Sequence, residues 1–257
     1  MTTAPAADGR ARLGFANKAM KKPVVRLLTL TLVAVFLAEP AVVPASTEGF
    51  PFTNETLRYS VNFASGISLG QAQISASRNP ASGWAFNFSL DASLPSFPML
   101  DRFNAWAGND LCSIRYERSS EHGRRKAKEL TWFDRGKSIA VRSTKDGGGI
   151  SEIPVGLCPH DALSFLFFLR RELGQGRIPP NDTVLAGGAY RVSLVYAGVT
   201  SIVRDKQKVV TDQVNCTIKG PASETHVEIL FARDAARTPL VMRCPFALGT
   251  FSMELVR

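Results

Sequence analysis

Histidine is the first residue type to examine for chemistry, because it can act as a base or bind a metal near neutral pH. His160, Asp161 and Ser164 supply the three residue types of a hydrolase triad within five positions. Asp161, however, is placed to cap a predicted helix, and Ser164 lacks the strand-to-helix turn that exposes a nucleophile. The sequence therefore favours structural roles for these residues, and we expect a protein that is not an enzyme.

Metal binding has two candidates in this sequence. His226 and Glu228 alternate with Val227 and Ile229, so they share the polar face of a predicted strand. A third ligand is not suggested nearby, and a solvated strand face is the commoner use of such a pair. Cys158 stands two residues before a histidine, but a second ligand pair does not accompany them. We expect neither a metal nor another cofactor.

The chain has four cysteines, which are Cys112, Cys158, Cys216 and Cys244, and none of them forms a C-x-x-C pair. In an oxidising compartment four cysteines allow three disulfide connectivities. We favour Cys112 with Cys158 and Cys216 with Cys244, because each bond would join neighbouring segments. Four buried free thiols are the alternative.

The beginning of the sequence has the pattern of a secretory signal peptide. Lys21, Lys22 and Arg26 precede the apolar run Leu27–Ala38, which is short for a membrane span. Small residues then suit cleavage after Ala45, so we predict a signal peptide over 1–45, with an uncleaved anchor as the alternative. We expect the remainder, 46–257, to be one exported domain. It would be periplasmic or associated with the outer membrane, and peripheral rather than transmembrane.

The positive charge of the chain is concentrated in this leader. The formal net charge is +9, and residues 1–45 hold six basic and two acidic residues. The remaining 25 basic and 20 acidic residues give only +5. Arginine-rich runs and zinc-finger spacings are also absent from the sequence, so nucleic-acid binding is not expected.

Alternating apolar and polar residues dominate the rest of the sequence and predict about ten β-strands. Prolines in the apolar connection 92–110 predict an irregular core plug or a lid over a cavity. The segment 161–173 is the one predicted long helix, capped by Asp161 and followed by Gly174 and Gly176. It is apolar around almost its whole circumference, which indicates burial on most sides. We therefore predict a mainly β fold, a strongly curved antiparallel sheet or half-barrel wrapped around this helix.

Three groups of motifs stand out in the sequence. They are Glu55-Thr-Leu-Arg-Tyr59 with Gly70-Gln-Ala-Gln-Ile74, Asp161-Ala-Leu-Ser164 through Leu169-Arg170, and Asp234-Ala-Ala-Arg-Thr-Pro239 with Gly249. With these motifs the chain resembles a known bacterial envelope family, domain of unknown function 3108. The resemblance covers about 50–257 and implies an exported, antiparallel β-rich fold with no established activity. Asn54-Glu55 departs from the family's usual glycine-glutamate opening.

Arg170 and the aromatic residues are the candidates for ligand binding. Arg170 follows a nearly all-apolar helix, so it needs a partner such as Asp101, Asp134 or Asp234, or it anchors a ligand headgroup. The expected partner is a lipid-like ligand bound between the sheet and the helix, or else an envelope protein. The aromatic residues could instead fill a dry hydrophobic core. Oligomeric state is not predicted. The aromatic candidates are Trp84, Phe86, Phe88, Phe103, Trp106 and Phe167.

Overall fold

The computed structural model describes residues 54–256, apart from 64, 80, 95–96, 146 and 247–248. The predicted signal peptide, 1–45, lies outside the described residues. Within the described part of the chain, no helix is both long and apolar enough to cross a membrane.

Fifteen strands and one helix make up the described residues, so the fold is mainly β, as predicted, with more strands than the sequence suggested. In chain order they are β1 (Asn54–Phe63), β2 (Ser68–Asn79), β3 (Gly83–Leu94), β4 (Phe97–Ala107), β5 (Ser113–His122), β6 (Arg125–Asp134), β7 (Ile139–Thr144), β8 (Gly149–Pro154), β9 (His160–Asp161), α1 (Ala162–Gly174), β10 (Asp182–Leu185), β11 (Ala189–Arg204), β12 (Gln207–Lys219), β13 (Glu224–Ala232), β14 (Pro239–Phe246) and β15 (Gly249–Leu255).

All of these strands form a single sheet in the order β8-β7-β6-β5-β4-β3-β2-β1-β15-β14-β13-β12-β11-β10-β9. It consists of two antiparallel meanders, which meet where β1 pairs with β15 in the register Tyr59↔Leu255. The short strand β9 adds to β10 in parallel. Strands β8 and β9 are therefore the two edges, and the sheet does not close into a barrel.

The sheet curves around α1, as the sequence predicted. Residues far apart in strand order come together: Arg118 in β5 donates to the carbonyl oxygen of Ala186, in the turn between β10 and β11. Near the start of β5, the amide of Ser113 donates to the carbonyl oxygen of Pro159 at 2.8 Å. Curvature of this degree encloses the helix on the concave face.

Helix α1 matches the predicted segment because its end signals are local. The Asp161 side chain accepts from the amides of Leu163 and Ser164. The Ser164 hydroxyl accepts in return from the Asp161 amide at 3.0 Å, which completes a capping box. At the other end, Gly176 has φ +73°, a conformation that suits glycine and ends the helix.

The prediction of an irregular plug or lid over 92–110 was wrong. Strand β3 continues to Leu94 and β4 begins at Phe97, so this region is a hairpin with ladder partners from Leu94↔Phe97 to Trp84↔Ala107. Pro98 is tolerated because it lies next to the hairpin turn, where a strand can begin without a full set of donors.

The predicted cysteine pairing is half right. Cys112 and Cys158 form a disulfide, whereas Cys216 and Cys244 are free thiols. The predicted second bond fails because β13 lies between the strands that carry the two cysteines. Strands two apart in a sheet are separated by about 10 Å, which is beyond the reach of a disulfide.

Candidate ligand-binding cavity

An apolar cavity of about 600 Å³ lies between α1 and the concave face of the sheet. We call it the α1 cavity. One wall is the helix, the second is formed by β10 to β13, and β4 and β5 contribute the rest. It is lined by Phe103, Tyr116, Arg118, Ala162, Phe165, Leu166, Leu169, Val184, Ala186, Tyr190, Val192, Leu194, Cys216, Ile218, Val227 and Ile229.

Strand alternation explains why this wall is apolar. Leu194 pairs with Cys216 and Cys216 pairs with Val227, so the three side chains form a row across β11, β12 and β13. Residues two positions away in each strand continue the same face. Branched and medium-sized aliphatic side chains therefore line the wall.

The opposite side of α1 is densely filled. The rings of Phe86 and Phe167 stack with their centroids 4.1 Å apart, and Trp84 stacks on Phe86 at 5.9 Å. Phe86 and Phe167 are fully buried, together with Tyr59 of β1. Close packing of flat rings leaves no room for a ligand between β3 and the helix.

The predicted aromatic site is consequently divided among three environments. Phe103 lines the α1 cavity. Trp84, Phe86 and Phe167 belong to the buried core, and Phe88 packs against it. Trp106 pairs across strands with Arg115, whose guanidinium lies 4.8 Å from its ring, on the face opposite to the helix.

Arg170 is fully buried and is not part of the α1 cavity lining. The carboxylate that it pairs with is Glu55, which the sequence did not predict, and of the predicted aspartates Asp234 stabilises its charge. Its Nη2 donates to both carboxylate oxygens of Glu55 at 3.0 Å. Its Nε donates to the carbonyl oxygens of Ala236 and Arg237 at 3.0 and 3.2 Å. Burial lowers the pKa of the Arg170 guanidinium, and the neighbouring Glu55 carboxylate opposes this change.

The segments that carry the family resemblance converge on Arg170. Glu55 comes from the opening strand, Arg170 from the helix, and the two carbonyls from the closing turn. Asp234 shapes that turn by accepting from the amide and the hydroxyl of Thr238. The motifs of the resemblance therefore meet at one buried junction, which joins β1 and the turn between β13 and β14 to the helix.

A different arginine reaches the cavity, and the sequence reasoning missed it. Arg118 stands on the inward phase of β5, two residues after Tyr116. Its Nη1 lies 3.7 Å from a Glu129 oxygen, and an Arg142 nitrogen lies 3.8 Å from the other oxygen of that carboxylate. Arg142 also donates to the carbonyl oxygen of Gly187. An arginine in phase with apolar residues on a predicted strand is the signal that could have found it.

The residues of the triad hypothesis do not form a triad. His160 is buried and places Nδ1 2.6 Å from Asp182, while its ring stacks on Phe168. Asp161 serves the helix cap and accepts from the hydroxyl of Ser113 at 2.6 Å. Ser164 lies in the same buried hydrogen-bond network.

The candidate metal ligands are used in other ways. His226 lies beside Thr217 and Glu224, and Glu228 pairs with Arg243 and accepts from Gln213. The described residues contain no group of three or more His, Cys, Asp or Glu side chains that could hold a metal ion.

Two other depressions are less suited to an apolar ligand. One, of about 580 Å³, lies between the segment after β8 and the start of β10, and polar surface makes up almost half of its lining. The other, of about 490 Å³, lies beside Trp106 and Trp132, and its lining includes two arginines, Arg78 and Arg115.

Comparison with known protein families gives one match that covers most of the chain. Residues 58–256 match the family described as "Protein of unknown function (DUF3108)". The chain belongs to this family. The match spans all fifteen strands except the first four residues of β1, and it confirms the resemblance found in the sequence. Comparison with curated proteins gives no significant match.

A solved structure shares the fold. It is the crystal structure of a beta-barrel-like protein of domain of unknown function DUF1849 from Brucella abortus. The TM-score is 0.59 at 9% identity, and the alignment covers 80% of this chain and 96% of that one. At this identity the similarity concerns the fold alone.

Proposed function

We propose that this DUF3108 protein is an exported, non-enzymatic binding protein of the cell envelope that takes a lipid-like ligand into the α1 cavity. The observation that carries the proposal is the cavity itself. Its volume of about 600 Å³ is typical of sites for small molecules, which are mostly apolar with a few polar groups. Arg118 and the tyrosine hydroxyls are the polar groups of this lining.

The disulfide supports the exported location. Cys112 and Cys158 are bonded, and disulfides persist in oxidising compartments such as the periplasm. The signal-peptide pattern of 1–45 points the same way. A fusion of the full chain to alkaline phosphatase tests export, because that enzyme becomes active only outside the cytoplasm. Activity should require the apolar run Leu27–Ala38, and activity that survives its deletion would contradict the proposal.

Ligand binding is tested with the neutral fluorescent probe N-phenyl-1-naphthylamine and protein purified from the envelope and delipidated. Leu194→Trp should weaken probe binding by about tenfold or more, because the indole would occupy the cavity. Val195→Trp is the matched control, since Val195 neighbours Leu194 but points to the exposed face. Absence of saturable binding to the wild type, or an equal loss in both variants, would refute the proposal.

A structural module that binds another envelope protein is the second candidate, and one observation favours it. Val199, Val203 and Val210 are exposed on one face of the long β11–β12 hairpin. Exposed apolar clusters commonly mark interaction surfaces. A photo-crosslinking residue at Val203 should then give a discrete adduct in the envelope that the same residue at Lys137 does not give.

A further inference from the structure

We infer that the ligand of the α1 cavity is an amphiphile whose anionic oxygen group, a carboxylate or a phosphate, is bound by Arg118 and Tyr116. The inference rests on the proposed function and adds the chemical class of the ligand. It begins from the composition of the wall. Among the described residues that line the cavity, Arg118 alone carries a charge. One cation beside an otherwise apolar surface suits a molecule with one anionic end and a long apolar body.

The charge balance around Arg118 leaves a positive surplus. The guanidiniums of Arg118 and Arg142 share a single carboxylate, that of Glu129, at distances of 3.7 and 3.8 Å. Two positive charges and one negative charge leave one positive charge. Arg142 is further occupied by the carbonyl oxygen of Gly187 and is not part of the cavity lining. Arg118 is therefore the cation that a ligand in the cavity can reach.

The other carboxyl groups near Tyr116 are already engaged. Asp101 lies 3.0 Å from the ring nitrogen of His122. Asp161 accepts hydrogen bonds from Ser113 and from the first helical amides. Burial also raises the pKa of Asp161, which favours its uncharged form. These two groups therefore oppose an anion less than two free carboxylates would.

Two buried donors point to an acceptor at this place. The Tyr116 hydroxyl and the Arg118 Nε are both buried and have no hydrogen-bond partner among the described residues. Tyr116 and Arg118 stand two residues apart on β5, so their side chains leave the same face of the strand. An anionic oxygen group can accept from both, and hydrogen bonds of this charge-assisted kind are the strong ones. An apolar ligand would leave both donors unsatisfied.

The apolar end of the ligand would extend from Arg118 along the cavity. Leu166 and Leu169 form the helix side of this path, and Leu194, Ile218 and Val227 form the sheet side. None of these five residues can form a hydrogen bond through its side chain. The anionic group therefore fixes one end, and the chain length sets how much of the aliphatic wall is covered.

The test is displacement of N-phenyl-1-naphthylamine by four amphiphiles with the same twelve-carbon chain. They are dodecanoate, dodecyl phosphate, dodecan-1-ol and dodecyltrimethylammonium. The wild type should bind dodecanoate or dodecyl phosphate about tenfold more tightly than dodecan-1-ol, because a charge-assisted hydrogen bond is added. The tighter of the two anions tells whether the natural group is closer to a carboxylate or to a phosphate.

Variants of the charge cluster give changes in opposite directions. Arg118→Gln should abolish the preference for the anions over dodecan-1-ol, and Arg118→Lys should keep part of the preference. Glu129→Gln should increase the preference, because it removes the competing carboxylate. Arg115→Gln is the matched control, since Arg115 stands on the other face of β5 beside Trp106 and should leave the preference intact.

The outcomes separate this inference from the proposed function. Equal affinities for anions and alcohol in the wild type, or a preference that survives Arg118→Gln, would overturn the inference while ligand binding stands. Failure of the neutral probe to bind at all would overturn both.

Discussion

The two sides of helix α1 differ in what fills them. On the side of β3, the rings of Trp84, Phe86 and Phe167 stack into a closely packed core. On the side of β11 to β13, aliphatic residues such as Leu194 and Ile218 face the helix across a cavity of about 600 Å³. One helix thus serves as a core element on one face and as the wall of a cavity on the other.

The difference teaches that aromatic content does not identify a binding site in this fold. Large flat rings meet across the helix and fill the space between the two layers. The shorter aliphatic side chains of β11 to β13 do not reach far enough to close the gap. The two arginines differ as well, because Arg118 enters the cavity from β5, whereas Arg170 is buried at the junction of Glu55 and the closing turn.

The largest contrast between a variant and its control is expected for the disulfide between Cys112 and Cys158. Replacing both Cys112 and Cys158 by serine should reduce the free energy of unfolding by about 4 kcal/mol, because the bond closes a long loop of the unfolded chain. Replacing both Cys216 and Cys244 by serine should cost much less, since these cysteines are free. Denaturant unfolding of the two double variants measures the contrast, and equal losses would contradict it.

The junction at Arg170 comes next. Glu55→Gln should reduce the free energy of unfolding by about 3 kcal/mol, because it leaves a fully buried guanidinium without its carboxylate. Glu121→Gln is the control, as Glu121 pairs with Lys126 at the surface and should contribute no more than about 1 kcal/mol. Urea titration gives both values. A loss at Glu55 no larger than at Glu121 would mean that the junction does not stabilise the packing of β1 and the closing turn on the helix.

The same substitution at two phenylalanines of α1 compares the filled side of the helix with the cavity side. Phe167→Ala should cost about 3–5 kcal/mol, because the filled side cannot collapse into the space left behind. Phe165→Ala should cost about 1–2 kcal/mol less, since the ring of Phe165 lines the cavity and makes fewer contacts to lose. Equilibrium unfolding decides the question, and a greater loss for Phe165→Ala would reverse the assignment of the two faces.

The smallest expected effect concerns the rate at which the Cys216 thiol is alkylated. Burial raises the pKa of the Cys216 thiol to about 11, so the reactive thiolate is scarce at pH 7. In a Cys244→Ser background, alkylation of Cys216 by iodoacetamide should accelerate about tenfold for each pH unit between 7 and 9. Dodecanoate should slow this reaction, because Cys216 lines the cavity. Rapid labelling at pH 7 that dodecanoate does not affect would count against a ligand beside Cys216 in the α1 cavity.

The parts of the fold that depend on local signals could be predicted from the sequence. Helix α1 carries its own cap at Asp161 and its own end at Gly176, and the strands follow the period of two. Prolines, which can interrupt a strand or a helix, were harder to interpret. The prolines of 92–110 suggested an irregular segment, although in the structure Pro98 stands at the beginning of an ordinary hairpin strand.

The site depends on contacts that local patterns do not contain. Glu55 and Arg170 are 115 positions apart, so their pairing requires the complete topology of the sheet. The free thiols follow from β13, which separates the strands of Cys216 and Cys244. The cavity is a volume that the neighbouring side chains leave unfilled, so it cannot be predicted from any single residue type in the sequence.

Photoaffinity labelling with a dodecanoate that carries a diazirine at its chain end tests the division of the two faces most directly. After irradiation of the delipidated protein and digestion, the label should be found in peptides from β11, β12 and β13, which include Leu194, Cys216 and Val227. An excess of unlabelled dodecanoate should suppress it. Label concentrated in the β3 peptide around Trp84 and Phe86 would contradict the account, because it would place the ligand on the side that the aromatic rings fill.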